Sequence, residues 1–259
     1  MNTLTEIFEN KRAEVEESKF RVPLPYLVSQ CADAKPTRGF RAALKDGSKP
    51  ALIAEVKRAS PSAGMIRKDF DPVAIARAYE RAEANALSVL TDEKYFMGSA
   101  DDLRLARGAT QLPVLRKDFV CDSYQLYESK AMGADAVLLI VAGLEVSLLH
   151  DLYAEAKTLG LDVLVEVHTK DELAVANALG ADIIGINNRD LATFETNLAT
   201  SESLIPLVHP NALRISESAL ESSTDVRRVV QAGAQAVLIG TAFCAFEDIE
   251  ARVLEVMDW

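Results

Sequence analysis

The sequence predicts an α/β fold, a (β/α)8 TIM barrel with a helical N-terminal extension, from three observations. Eight short apolar, β-branched runs recur after residue 50, helical stretches separate them, and several of those stretches stop at a glycine. The runs are "ALIAEV" (51–56), "ALSVL" (86–90), "LPVLR" (112–116), "AVLLIV" (136–141), "DVLVEV" (162–167), "DIIGIN" (182–187), "ALRIS" (212–216) and "AVLIG" (236–240). Nearly continuous apolar character suits parallel strands buried on both faces. Between them, "DPVAIARAYERAEA", "EVSLLHDLYAEAKTLG" and "STDVRRVVQAG" have helical spacing, and Gly133, Gly160, Gly180 and Gly233 stand where helices end. An open doubly wound sheet is the alternative, but no GxGxxG follows the first run and eight repeats exceed what that fold usually needs.

Residues 1–50 stand outside the repeat. "LTEIFENKRAEVEESK" reads as an amphipathic helix, followed by a Pro-punctuated connection and a short helix near "GFRAALKDG". The pattern leaves two placements open, a cap on the barrel bottom or a lid near its mouth; the cap is the simpler. Residues 1–259 are expected to form one barrel domain that includes the extension.

Composition narrows the function. Apolar residues at 49% and charged residues at 26% suit a soluble globular protein. Thirty-nine acidic against 28 basic residues give a net charge of −11, which argues against nucleic acid or an anionic membrane as partner. Cys31, Cys121 and Cys244 lack CxxC or metal-ligand spacing and are expected to be reduced, as in the cytoplasm. The charged start "MNTLTEIFENKRAEVEESK" does not look like a secretory signal.

In a barrel, chemistry sits where strands end and βα loops begin. Strand one ends in Glu55 and Lys57, which share a side because they are two apart. Strand three ends in Lys117 and Asp118, strand five in Glu166 and His168, strand six in Asn187, Asn188 and Arg189, and strand seven in Ser216, Glu217 and Ser218. Any one of these also suits a cap or a solvated surface; their concentration at strand ends is harder to dismiss, because unpaired buried charge is costly. Gly240 and Thr241 follow strand eight, where barrels often bind phosphate through backbone N–H groups. A phosphorylated small molecule with a further anionic group is therefore expected, handled by Lys and Glu as acid and base. A Schiff base on Lys57 or Lys117 stays open. No residue set demands a metal, and His168 is read as a loop residue outside the catalytic set.

In order along the chain, "IAEVKRASPSAG", "SVLTDEKYFMGS", "LPVLRKDFV", "LDVLVEVHTKDEL", "IIGINNRDLATF", "SESAL" and "IGTAF" resemble the indole-3-glycerol phosphate synthase family. The resemblance covers nearly the whole chain. It implies ring closure, decarboxylation and dehydration of 1-(2-carboxyphenylamino)-1-deoxyribulose 5-phosphate, without a cofactor, in tryptophan biosynthesis. It implies Lys117 as general acid and Glu166 as general base. It also implies Lys57 at the substrate's anionic groups, Glu55 positioning and tuning its neighbours, and Asn187 and Glu217 as substrate-hydroxyl and active-site partners. Ser60, Gly240 and Thr241 match the phosphate cradle, Arg189 and Ser218 lie in family motifs, and Phe96, Phe119 and Leu138 match the wall of the anthranilate ring. A monomer is expected, with association among pathway enzymes left open. Two positions depart from the family pattern. Ala219 stands where SESG is usual, with its N–H still offered to phosphate, and Ala63 stands where SPSKG is frequent. The competing readings are another phosphate-binding barrel such as phosphoribosylanthranilate isomerase, which would favour a Cys/Asp pair, and a weakened barrel serving as a binding subunit.

Overall fold

Eight parallel strands close on themselves in chain order: β1 (Ala51–Val56), β2 (Ala86–Leu90), β3 (Val114–Lys117), β4 (Ala136–Ile140), β5 (Asp162–Val167), β6 (Ile183–Asn187), β7 (Leu213–Glu217) and β8 (Ala236–Ile239), with β8 pairing back to β1. This computed structural model describes residues 3–45, 49–190, 193 and 195–258. Leu191, Ala192 and Phe194 of the "LATF" segment, and Asp46–Ser48 after the short helix, lie outside the described residues. The strands match the apolar runs to within two residues at each end. One shift matters: Lys117 is the last residue of β3 rather than the first beyond it.

The helices are α1 (Thr3–Arg21), α2 (Leu24–Asp33), α3 (Phe40–Ala43), α4 (Pro72–Arg81), α5 (Glu93–Phe96), α6 (Ala100–Ala109), α7 (Tyr124–Met132), α8 (Val146–Thr158), α9 (Lys170–Leu179), α10 (Ala199–Leu204), α11 (Ser223–Gln231), α12 (Thr241–Cys244) and α13 (Ile249–Met257). Several start on side-chain caps that accept the first free N–H groups: Asp71, Ser99, Thr169, Ser222 and Asp248. Gly133 and Gly180 close α7 and α9 in left-handed backbone. The core lies inside the barrel and between strands and helices, with Leu52, Ile53, Leu87, Leu115, Val163, Ile184 and Val237 fully buried.

The extension corrects the simpler expectation. It is both lid and cap, because it runs down the barrel wall from one end to the other. At the mouth, Leu4 and Ile7 of α1 line the central cavity, and Phe8 meets Phe119 edge-on at 5.8 Å. Gly143 leaves the space that Phe8 fills; a Cβ there would stand 2.1 Å from its ring. Lys11 is buried between Asp92 at 2.8 Å and Asp118 at 3.1 Å, which ties α1 to the loops after β2 and β3. At the base, Arg38 N–H donates to Asp135, Arg41 N–H donates to Asp162, and Phe40 is fully buried. Between the two ends runs α2, on α7, where the sequence reading has a Pro-punctuated connection. Pro23 and Pro25 occupy its cap and first turn, where a missing N–H costs no hydrogen bond.

The loop after β1 also gains structure. Ala59–Ser60 and Gly64–Met65 pair as a short antiparallel hairpin, and Gly64 takes a positive φ of 65° at its turn.

Candidate active site

The open end of the barrel holds a cavity of about 220 Å³ lined by residues from all eight strands or the connections that follow them. Every residue singled out for the site borders it: Glu55, Lys57, Ser60, Phe96, Lys117, Phe119, Leu138, Glu166, Asn187, Arg189, Glu217, Ser218, Ala219, Gly240 and Thr241. Parallel register explains the convergence, since β strands that end together present their last inward side chains in one layer.

At the centre, Lys117 Nζ stands 2.8 Å from Glu166 Oε2 and 3.5 Å from Glu217 Oε2. Asn187 Nδ2 donates to Glu166 Oε1 at 3.1 Å, and its own Oδ1 accepts from Arg189 N–H. Beside this group, Lys57 pairs with Glu55, whose second oxygen accepts from Ser88 Oγ at 3.4 Å. Glu55 is fixed through its backbone as well, because its carbonyl accepts from Tyr79 Oη and Cys244 Sγ.

Electrostatics separate the two central carboxyls. Burial pushes Glu166 up, but Lys117 and His168 overrule it and hold the group well below the usual carboxylate range. Burial pushes Lys117 down, yet Glu166, Glu217 and Glu55 together keep it charged and raise it. Glu217 has burial and the two neighbouring glutamates against it, and Lys117 at 3.5 Å does not compensate. Its pKa rises to about 8, so it holds a proton at neutral pH.

Two glycines make room for these acids. A Cβ on Gly185 would lie 2.0 Å from Glu217 Oε1, and one on Gly240 would lie 2.5 Å from Glu55 Oε1. In the sequence Gly240 stands where anion approach is expected, whereas Gly185 lies unmarked inside "IIGIN". Its signal was a glycine within an apolar strand, which often marks a close approach.

The cavity has two sides. Phe96, Phe119, Leu138, Leu90 and Ile140 form an apolar wall, with the Phe96 and Phe119 rings 6.0 Å apart. Opposite lie Ser60, Ser218, Ala219, Gly240 and Thr241. Ser218 and Ala219 both have left-handed backbone, φ 65° and 60°, at about 1–2 kcal/mol each. Asn188 stabilises this turn: its buried Nδ2 donates to Ser216 Oγ, Glu217 O and Ser218 O. In the hairpin, Ala63 N–H donates to Ser60 Oγ, and Arg189 reaches across to Ser62 Oγ at 3.3 Å.

His168 lies beyond β5, as read from the sequence, but its ring is not remote. Nε2 stands 3.3 Å from Glu166 Oε1 and Nδ1 stands 3.2 Å from Glu172 Oε2. Among the described residues, no group of three or more His, Cys, Asp or Glu is placed to hold a metal ion.

A closed (β/α)8 barrel whose open end gathers buried, ion-paired Lys and Glu side chains in one cavity has the architecture of a barrel enzyme. Comparison with known proteins narrows the class. Residues 4–256 match the family model described as "Indole-3-glycerol phosphate synthase". Similar proteins of that name come from Chlorobium phaeovibrioides, 51% identical over 93% of both chains, and from Geobacillus kaustophilus, 48% identical over 96% of this chain and 95% of that one. Another from Dehalococcoides mccartyi is 46% identical over 98% and 99%. Among solved structures, the N-acetylmannosamine-6-phosphate 2-epimerase of Clostridium perfringens shares the fold at 15% identity. Its TM-score is 0.59, over 74% of this chain and 86% of that one. The chain belongs to the indole-3-glycerol phosphate synthase family, and it is a carboxy-lyase of tryptophan biosynthesis.

Proposed function

We propose that Lys117 is the general acid and Glu166 the general base of the reaction, acting on 1-(2-carboxyphenylamino)-1-deoxyribulose 5-phosphate. The observation that carries this reading is their 2.8 Å contact in a cavity that is also lined by Phe96, Phe119 and Leu138 and by Ser60, Ser218 and Thr241. The anthranilate ring lies against Phe96, Phe119 and Leu138. The phosphate sits at Ser60, Ser218, Ala219, Gly240 and Thr241, and Lys57 and Arg189 face the anionic groups.

In ring closure, the ring carbon bearing the carboxylate attacks the substrate ketone, and Lys117 gives a proton to the ketone oxygen. Carbon dioxide then leaves, and its bonding pair neutralises the iminium nitrogen. In dehydration, Lys117, once reprotonated, protonates the departing hydroxyl, while Glu166 takes a proton from the neighbouring carbon and the indole becomes aromatic. The ion pair that keeps Glu166 charged also weakens it as a base. When Lys117 turns to the substrate oxygen, that restraint relaxes and Glu166 regains basicity. Asn187 keeps its carboxylate oriented, and protonated Glu217 can donate a hydrogen bond to a substrate hydroxyl.

The same reading takes the enzyme to be a cytoplasmic monomer of one domain, without a nucleic-acid or membrane partner. Three free cysteines, the net charge of −11, and the lack of any described helix long and apolar enough to cross a membrane support it.

The decisive assay follows indole fluorescence with this substrate. Lys117→Ala and Glu166→Gln are each expected to lower kcat by about 10²- to 10⁴-fold. A loss of only a few-fold in both overturns the acid–base assignment.

A further inference from the structure

We propose that His168, held between Glu166 and Glu172, is a positioning residue: its imidazolium pins the Oε1 side of the general base while Lys117 occupies the Oε2 side. The inference rests on the reading of Glu166 as base.

Three residues of "VEVHTKDE" form the device within one strand–loop–helix connection. Glu172 lies in the first turn of α9, and its carboxylate is fixed on both oxygens: Oε2 accepts from His168 N–H at 2.8 Å, and Oε1 accepts from Thr169 Oγ1 at 3.0 Å. This anchored carboxylate meets Nδ1 of the largely buried ring at 3.2 Å. On the other side, Nε2 approaches Glu166 Oε1 at 3.3 Å, as an ion pair without the alignment of a hydrogen bond. Burial alone would discharge the ring, but the two carboxylates outweigh it and raise its pKa to about 9. Arg12 of α1 and Arg189, Asp190 and Glu195 of the loop after β6 border the cavity on the ring's open side.

The arrangement meets a need of the mechanism. Once Lys117 turns to the substrate, the described residues that keep Glu166 aimed are Asn187 and His168, both at Oε1. The substrate proton then arrives at Oε2, the side Lys117 has left. Neutralising Glu166 does not strand the imidazolium, because Glu172 still pairs with it; a buried charge left alone would cost several kcal/mol.

The ring 15N signals of the full-length enzyme, followed against pH, test this directly. The chain has three histidines, and the signal lost in His168→Gln assigns His168. His168 should titrate near pH 9, against about 6.5 for a free imidazole, and its midpoint should fall in Glu172→Gln. In turnover, His168→Ala should lower kcat by about 10- to 100-fold with little change in KM, as for a misplaced reacting group. The uncharged donor in His168→Gln should recover part of that loss and carries the test if alanine disturbs folding. The decline of kcat through the His168 midpoint should begin at lower pH in Glu172→Gln and vanish in His168→Gln. A wild-type midpoint near 6.5, or a His168→Ala enzyme with wild-type kcat and pH profile, overturns the proposal. If instead Glu166→Gln keeps wild-type kcat, the base assignment fails, whatever the histidine titration shows.

Discussion

The two ends of the barrel carry similar charged residues and use them in opposite ways. At the base, Asp135 is fully buried and fully partnered: it accepts from Arg38 N–H and Val114 N–H at 2.8 Å each, and from Arg107 Nη2 at 3.0 Å. Arg38 and Arg41 hand their remaining N–H groups to carbonyls at Thr110, Leu112, Asp182 and Asn211. At the mouth, neither carboxyl oxygen of buried Glu217 makes a hydrogen bond among the described residues, and the next two residues hold left-handed backbone. Charges at the base are spent on closing the structure, whereas at the mouth they are left partly unsatisfied, where a substrate can meet them.

Asp135→Ala attacks the satisfied end and should have the largest effect on stability. It strands Arg107 and two backbone N–H groups, so unfolding in denaturant should be easier by about 3–5 kcal/mol. The KM of the enzyme that remains folded should not change. A loss below about 1 kcal/mol would mean that the base is no better paired than the mouth.

Glu217→Gln tests the unsatisfied end through pH. In the folded protein Glu217 keeps its proton up to about pH 8, whereas in the unfolded chain it loses it near 4.5. Its contribution to stability is therefore complete below pH 4.5 and drains away as pH rises to 8, at up to about 1.4 kcal/mol per pH unit. Glutamine cannot titrate, so the Tm of the variant relative to wild type should climb between pH 5 and pH 8, by about 2–4 °C per kcal/mol. Parallel Tm curves would show that Glu217 is ionised in the native state.

Ala219→Gly is the smallest step. Relief of left-handed strain, less the greater freedom of glycine in the unfolded chain, should add about 1 kcal/mol and raise Tm accordingly. Removing the methyl from the phosphate side should also lower KM while kcat holds. An unchanged KM would show that Ala219 does not crowd the substrate.

What could be read from the chain before folding follows the same division. The strands were legible because burial on both faces imposes an unbroken apolar run, and Lys117, Glu166, Glu55 and Glu217 stood out as charges at the ends of such runs. Helix α2 was missed because Pro23 and Pro25 look like breakers unless they fall in a first turn. The role of Gly185 was hidden because the group it accommodates, Glu217, is 32 positions away in the chain, and His168 looked like loop because its link to Glu166 runs through space rather than along the strand.

By itself, then, the sequence determined the alternation of strand and helix and the kinds of residue at the strand ends, because periodicity and burial on two faces are written into neighbouring residues. Only the tertiary structure decided that α1 packs at the mouth while α3 packs at the base, that burial beside Glu166 and Glu55 raises the pKa of Glu217, and that His168 reaches Glu166. Those outcomes depend on contacts such as Lys11 with Asp118 and Lys117 with Glu166 and Glu217. Such long-range contacts set which charges are buried together, and that shared burial sets their protonation.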